Sequence, residues 1–240
     1  MQLQSSLVGQ TALVTGGSRG IGLAIARRLG AMGSKVAICA RDRKSLEESA
    51  ALLRGEGLSS VLAVTADVSR SDDVSRLVAQ VVQSLGPLDI VVNNAGIGVF
   101  GPGQDATEQD WDRVLDINLK GVFLVCRAAA PGMIARRTGH IVNISSLAGK
   151  NAFANGAVYC ASKWGLQGFS YCLAEDLRAH GIRVSVVCPG SVLTEFGPHS
   201  GKDPSKMLQP DDVAHAVAML VTQAPQSFVS ELLIRPTQKP

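Results

Sequence analysis

Short β-branched apolar runs alternate with longer amphipathic segments along the chain. The run ALVTG from Ala12 is strand-like and passes directly into a helical IGLAIARRLGAMG. KVAICA from Lys35 reads as a second strand, and KSLEESAALLRG as the helix after it. VLAVTAD from Val61 leads to a helical SDDVSRLVAQVVQSLG, and LDIVVNNAG from Leu88 is the next strand. A long helical region from Thr107 to about Arg136 precedes HIVNISS, and a helix from Ala157 to Ala179 precedes IRVSVVCPG. A last helix opens with Pro210-Asp211-Asp212, and ELLIR from Glu231 closes the set. These are seven strands, apolar on both faces and separated by helices. They predict an α/β fold, a doubly wound and mainly parallel sheet with helices on both sides. No linker, repeat or low-complexity segment interrupts the series, so residues 1–240 are expected to form one domain. Ser71-Asp72-Asp73 and Pro210-Asp211-Asp212 place carboxylates at the positive ends of their helices, Ser71 as a capping residue, and they are read as structural.

Composition sharpens the class. With 46% hydrophobic and 18% charged residues in 240, the chain is no disordered segment. A formal net charge of +3, from scattered basic residues, argues against a nucleic-acid partner. Cys39, Cys126, Cys160, Cys172 and Cys188 are odd in number and form no C-x-x-C pair, which reads as reduced thiols in a cytoplasmic protein. His140, His180, His199 and His215 lie far apart without H-x-x-x-H spacing, so no metal site is expected and each is read as a surface or capping residue. No stretch approaches the ~20 apolar residues of a bilayer span, and no export signal opens the chain. A soluble protein with no membrane contact is expected.

The chemistry concentrates at strand ends. The first strand ends in Thr15-Gly16-Gly17-Ser18-Arg19-Gly20-Ile21-Gly22 and runs straight into a helix. Glycines at 16, 20 and 22 let the backbone turn sharply and approach a pyrophosphate, which the unpaired N–H groups of the helix start would face. The spacing G-x-x-x-G-x-G differs from G-x-G-x-x-G, so the dinucleotide reading rests on mechanism, against the plainer reading of a tight packing turn. At the end of the second strand Ala40 falls where an acid would bind the ribose of NAD, and Arg41 follows it. Arg41, with Arg19, favours the 2′-phosphate of NADP; Asp42 is the competing residue that would favour NAD. Asp67-Val68 ends the third strand, where the acid could bond the adenine amino group or cap the next turn. Asn93-Asn94-Ala95-Gly96 ends the fourth, with small residues that admit a cofactor or simply turn the chain.

Tyr159-Cys160-Ala161-Ser162-Lys163 carries the strongest signal. Residues four apart share a helix face, so phenol and ammonium can address one ligand. A nearby cation lowers a phenol pKa from its usual value of about 10 toward the range useful for proton exchange. Surface pairing of the two side chains is the plainer alternative.

With TGGSRGIG, NNAG, YCASK and Pro189-Gly190 in this order, the chain resembles the short-chain dehydrogenase/reductase family over essentially its whole length. That resemblance implies a Rossmann-type fold and a catalytic tetrad. Ser145 and Ser146 are both available for the serine, and Ser146, 13 residues before Tyr159, matches close reductase relatives. Asn118 in DINLKG corresponds to the family's helix asparagine. The implied reaction transfers a hydride between nicotinamide and a carbonyl or alcohol. Tyr159 exchanges the proton and Ser146 polarises the oxygen. Lys163 binds the nicotinamide ribose and lowers the tyrosine pKa, while Asn118 holds a water that links Lys163 to solvent. The same resemblance places Pro189, Gly190, Val192 and Thr194 along the nicotinamide.

A small-molecule substrate is implied, with 3-oxoacyl-[acyl-carrier-protein] reductases as the nearest general likeness and a 3-oxoacyl thioester or similar ketone as substrate. The alternatives are an NAD(H)-dependent alcohol, sugar or steroid dehydrogenase and a dinucleotide sensor without catalysis. Gly98-Val99-Phe100, Leu147 to Phe153 and Val192 to Met207 are expected to line a mostly apolar pocket. The ending LLIRPTQKP departs from the glycine-rich tail of many relatives. A homodimer or homotetramer through the two long helical regions is the family expectation.

Overall fold

The computed structural model describes residues 6–196 and 201–240; His199 lies outside them. Period-two alternation explains the architecture. Along β1 (Thr11–Thr15), Leu13 points to one face of the sheet and Ala12 and Val14 to the other, each into its own apolar layer. The pattern repeats in β2 (Lys35–Ala40), β4 (Ile90–Asn93), β5 (Gly139–Ile144) and β6 (Ile182–Pro189). Strands buried on both faces therefore read as continuous apolar runs.

With β3 (Val61–Thr65) and β7 (Glu231–Ile234) the sheet has seven strands in the order β3-β2-β1-β4-β5-β6-β7, every pairing parallel. Helices α1 (Gly20–Ala31), α2 (Arg43–Gly55) and α7 (Pro210–Val221) cover the Val14 face. Helices α3 (Ser71–Leu85), α5 (Gly121–Arg136) and α6 (Ala157–Arg178) cover the Leu13 face. The chain winds outward from β1 to β3, then restarts on the other side of β1 at β4. Such a reversal opens a crevice at the carboxyl ends of the two central strands, the usual place for a ligand in this architecture.

Several local expectations are corrected. Ser71 is the first helical residue of α3 rather than its cap, and Asp73 instead accepts the backbone N–H of Asp67 at 2.9 Å. Asp212 does close its helix start, accepting from the Gln209 N–H at 2.7 Å. The run Glu108–Arg136, which comprises α4 (Glu108–Leu115), a π-helical segment (Asp116–Lys120) and α5, is long and apolar enough to cross a bilayer by length and composition. No such span was expected from the sequence. Half of its apolar stretch is buried inside the protein, where α5 packs on α3, β4 and β5.

His140 is likewise no surface residue. It sits inside β5 with 1% exposure, its Nε2 2.8 Å from Ser185 Oγ and its Nδ1 without a partner. Burial first, then the charge of Arg183, push its pKa down to about 3. The unfolded chain then binds the proton more readily, so this site weakens the fold as pH drops below the ordinary histidine value of about 6.5. The urea midpoint should therefore fall between pH 7 and pH 4, this residue contributing at most about 1.4 kcal/mol per pH unit. His140→Gln should flatten the profile by that one-proton slope, and an unchanged slope in the variant would refute the assignment.

Candidate active site

The crevice is set by hydrogen bonds between the ends of β1 and β4. Thr15 Oγ1 accepts the backbone N–H groups of Asn94 and Ala95, both at 3.0 Å. The Asn94 amide donates in return to the carbonyls of Thr15 and Gly16, at 3.0 and 3.2 Å. Gly16 has φ +64, and a Cβ there would lie 2.9 Å from Ala95 Cα. A Cβ on Gly22 would run into the Gly16 carbonyl. The turn thus has room for backbone only, and α1 begins after Arg19 with no side chain capping its first N–H groups. An uncapped helix start above a bare backbone turn fits a pyrophosphate.

The end of β2 separates the two dinucleotide readings. Ala40 is its last residue and Arg41 is exposed. Asp42, the residue that would have favoured NAD, accepts the Ser45 N–H at 2.7 Å and caps α2. That bond holds its carboxyl below the usual carboxylate range. Asp67 uses Oδ1 to accept from Ser69 N–H and Oγ at 2.9 and 2.7 Å, which is the turn-capping alternative; Val68 beside it is buried. Ser18 lends its carbonyl to the Ser49 hydroxyl at 2.6 Å. Ile21, half-buried, packs with the α1 face of the core.

Beyond β6, Gly190 donates its N–H to the Ile234 carbonyl at 2.8 Å, and Val192 bridges to Leu208. Thr194 stands over the glycine turn, 3.3 Å from where a Gly20 Cβ would be. Glu195 pairs with Arg19 at 2.7 Å, both side chains about three-quarters exposed. Neither Glu195 nor Thr15 stood out in the sequence. The signal for Thr15 was a hydroxyl at the last strand position before the glycine turn; Glu195 had none.

Helix α6 brings Tyr159 and Lys163 to one face, and both are buried, at 7% and 5% exposure. Their surroundings set their chemistry. Burial pushes the Tyr159 phenol up to about 12, with the Ser146 hydroxyl beside it pulling the other way. Burial also brings Lys163 down to about 8. Its Nζ donates to the Ile144 carbonyl at 2.9 Å and stands 5.8 Å from the Tyr159 ring centre. Lys163 Nζ is turned to the Ile144 carbonyl in this arrangement, and dehydration sets the direction of the phenol's shift.

The two serines separate cleanly. Ser145 is buried beneath, with Oγ 3.5 Å from the Lys163 carbonyl. Ser146 is extended, accepts the Ala148 N–H at 3.1 Å and lies against the phenol.

Asn118 sits in the π-helical segment, fully buried. It pairs both ways with Ile97, donating to the carbonyl and accepting from the N–H at 2.8 Å each, and donates to Ser162 Oγ at 3.0 Å. Both amide protons are therefore committed to protein groups. An i→i+5 turn also leaves a helix carbonyl without its usual partner, a feature common at functional sites. Gly96 completes the cluster, since a Cβ there would lie 3.3 Å from Asn118 Oδ1 and 3.8 Å from Lys163 Nζ. A donor-rich recess beside the glycine turn, with a buried ammonium and a phenol, suits the ribose and ring of a dinucleotide.

The match to known proteins follows this geometry. The family model described as short chain dehydrogenase matches residues 10–205. A crystal structure of a metagenomic short-chain oxidoreductase in complex with NADP is 46% identical, with a TM-score of 0.85 over 97% of this chain and 99% of that one. A variant of the actinorhodin polyketide ketoreductase, crystallised with NADPH, is 36% identical with a TM-score of 0.88 over 98% of each. The 2-(S)-hydroxypropyl-CoM dehydrogenase 3 of Xanthobacter autotrophicus is 36% identical over 236 residues, 92% of each chain.

The Asn118 amide is testable as a structural clamp. Asn118→Ala strands the N–H and C=O of half-buried Ile97 and removes the bond to the buried Ser162 hydroxyl, and each unpaired group costs about 1–3 kcal/mol when shielded from water. A drop of at least ~2 kcal/mol in unfolding free energy by urea titration is expected, and a variant as stable as the parent would contradict the clamp.

Proposed function

This chain belongs to the short-chain dehydrogenase family, and on that premise we propose that it is an NADP(H)-dependent oxidoreductase interconverting a ketone and its secondary alcohol. The observation that carries the reading is the convergence of Tyr159, Lys163, Ser146 and Asn118 beside the glycine turn at the strand ends. The nicotinamide supplies or accepts the hydride. Ser146 donates to the substrate oxygen and fixes its position over the phenol. Tyr159, held neutral well above pH 7, gives its proton to that oxygen as the carbonyl is reduced and takes it back in oxidation. Burial loosens the hold of Lys163 on its proton while leaving it charged at neutral pH, so it can replace the proton on the tyrosine and would hold the ribose hydroxyls. Asn118 holds the segment after β4 against α6.

The glycine turn at Gly16, Ser18, Gly20 and Gly22, with Asn94, Ala95 and Gly96 across the crevice, forms the dinucleotide cradle. Val68, Pro189, Gly190, Val192 and Thr194 border it. Three facts favour NADP. Asp42 is occupied as a helix cap, Ala40 stands in the acid's place, and two related structures were solved with NADP or NADPH. Arg41 and Arg19 would hold the 2′-phosphate; Arg19 would give up Glu195 for it at little cost, because exposed ion pairs hold weakly. A 3-oxoacyl thioester is one ketone within this chemistry.

Residues 1–240 act as one dinucleotide-binding and catalytic unit. Exposed Trp111, Phe123 and Trp164 on α4, α5 and α6 support a homodimer or homotetramer through these helices. Five free thiols support a cytoplasmic location.

Tyr159→Phe should lower kcat for ketone reduction by about a thousandfold while the Kd for NADPH stays within about twofold, read by fluorescence titration. Full turnover in that variant would end the assignment. Arg41→Ala should cost about ten- to a hundredfold in kcat/KM for NADPH, the loss of a charge-assisted bond. The value for NADH should hold steady. A parent enzyme that prefers NADH would overturn the role of Arg41 and Arg19.

A further inference from the structure

Aromatic residues make up only 4% of this chain, yet two phenylalanine rings flank the Tyr159 phenol and a third stands behind them. Phe100 lies 5.4 Å from Tyr159 between ring centres, tilted by 57°. Phe196 lies 5.7 Å from Tyr159, tilted by 51°. Phe153 stands behind Phe100 at 6.3 Å. Half of the chain's six Phe residues are therefore gathered here, from three different loops.

They lie against bare backbone. A Cβ on Gly98 would lie 2.5 Å from the Phe100 ring and 3.3 Å from Phe196. A Cβ on Gly156, the residue before α6, would lie 2.5 Å from the Phe153 ring. The Phe100 loop is tied to the Phe153 loop by the Gly101 N–H donating to the Asn155 carbonyl at 2.9 Å. These rings pack over bare glycines. Phe153 and Phe196 nonetheless leave 48% and 39% of their surface to solvent.

We infer that Phe100, Phe153 and Phe196 form a recognition wall for an aromatic ring carried next to the carbonyl, so that the substrate is an uncharged aryl ketone or the matching aryl alcohol. The inference rests on the ketone–alcohol reading of the Tyr159 site. A carbonyl oxygen within hydrogen-bonding reach of Tyr159 and Ser146 puts the neighbouring substituent beside Phe100 and Phe196. Tilted, half-open aromatic faces at these separations favour a further ring at 4.5–7 Å, an attraction that a saturated group of equal size does not share. The groups nearest the phenol are apolar rings, while the cations on the adjoining segments face partners of their own: Lys150 with Glu231 at 2.7 Å, Lys206 with Asp203 at 3.4 Å and Lys202 with the Ser191 hydroxyl at 2.9 Å.

The test compares methyl phenyl ketone with methyl cyclohexyl ketone, nearly equal in size and differing in the ring face. In the wild-type enzyme with NADPH, kcat/KM should favour the phenyl compound by at least about tenfold. Phe153→Leu and Phe196→Leu keep an apolar side chain and remove the face, so each should shrink that ratio by about three- to tenfold. Leu52→Ala, on the exposed side of α2, should leave the ratio as it is. A wild-type ratio near one, or a ratio untouched by both loop variants, overturns the inference and leaves ketone reduction standing. Binding separates the remaining case. Calorimetry of the Tyr159→Phe protein saturated with NADPH should show the same phenyl preference in Kd. If that preference appears while the wild type consumes no NADPH with either ketone, the reaction assignment fails and the ring wall survives. Equal Kd values overturn the wall.

Discussion

The exchange of hydrogen bonds between Thr15 and Asn94 is the constraint on which the crevice depends. Where β1 and β4 part, their last backbone groups lose sheet partners, and buried backbone groups must find others. The Thr15 hydroxyl takes two N–H groups from the β4 side, and the Asn94 amide gives two protons to the β1 side. The glycine turn is held open in that exchange, and Gly96 is delivered beside Asn118 and Lys163. One staple thus positions both the glycine turn and the Asn118–Lys163 end of the crevice.

From there the site is a balance of buried charge. Lys163 is taken out of water and given one carbonyl, Ile144, so its ammonium is held less firmly than in solvent. Tyr159 is dehydrated beside it and kept as the neutral acid. Each shift follows from burial, and together they leave a neutral phenol and a loosely held ammonium on one helix face. Asn118 adds no charge. It joins the exit of β4 to α6 through Ile97 and Ser162, so that phenol, ammonium and turn keep one geometry.

Much of this was legible in the residues. Apolar runs separated by amphipathic ones marked the strands and helices, and the glycine turn and the tyrosine–lysine spacing marked the chemistry. What was hidden had non-local causes. His140 reads as an ordinary polar residue and is buried only because β4 and β6 flank it. The choice between Ser145 and Ser146 turned on which way each faces at the end of β5. Asp42 looked like a ribose ligand until α2 claimed it as a cap. The three Phe residues of the wall lie up to 96 positions apart, at 100, 153 and 196, and no spacing rule connects them.

The sequence by itself determined the parallel double-wound sheet, the glycine turn and the pairing of Tyr159 with Lys163, because each depends on periodicity or on neighbours within one helical turn. Only the tertiary structure decided which groups lose water. It gave Tyr159 and Lys163 their shifted pKa values, committed Asn94 and Asp42 to the scaffold, and set Phe100 and Phe196 against the phenol. Burial and long-range contact arise from how the loops close over the strand ends, and those closures bring together residues far apart in the chain.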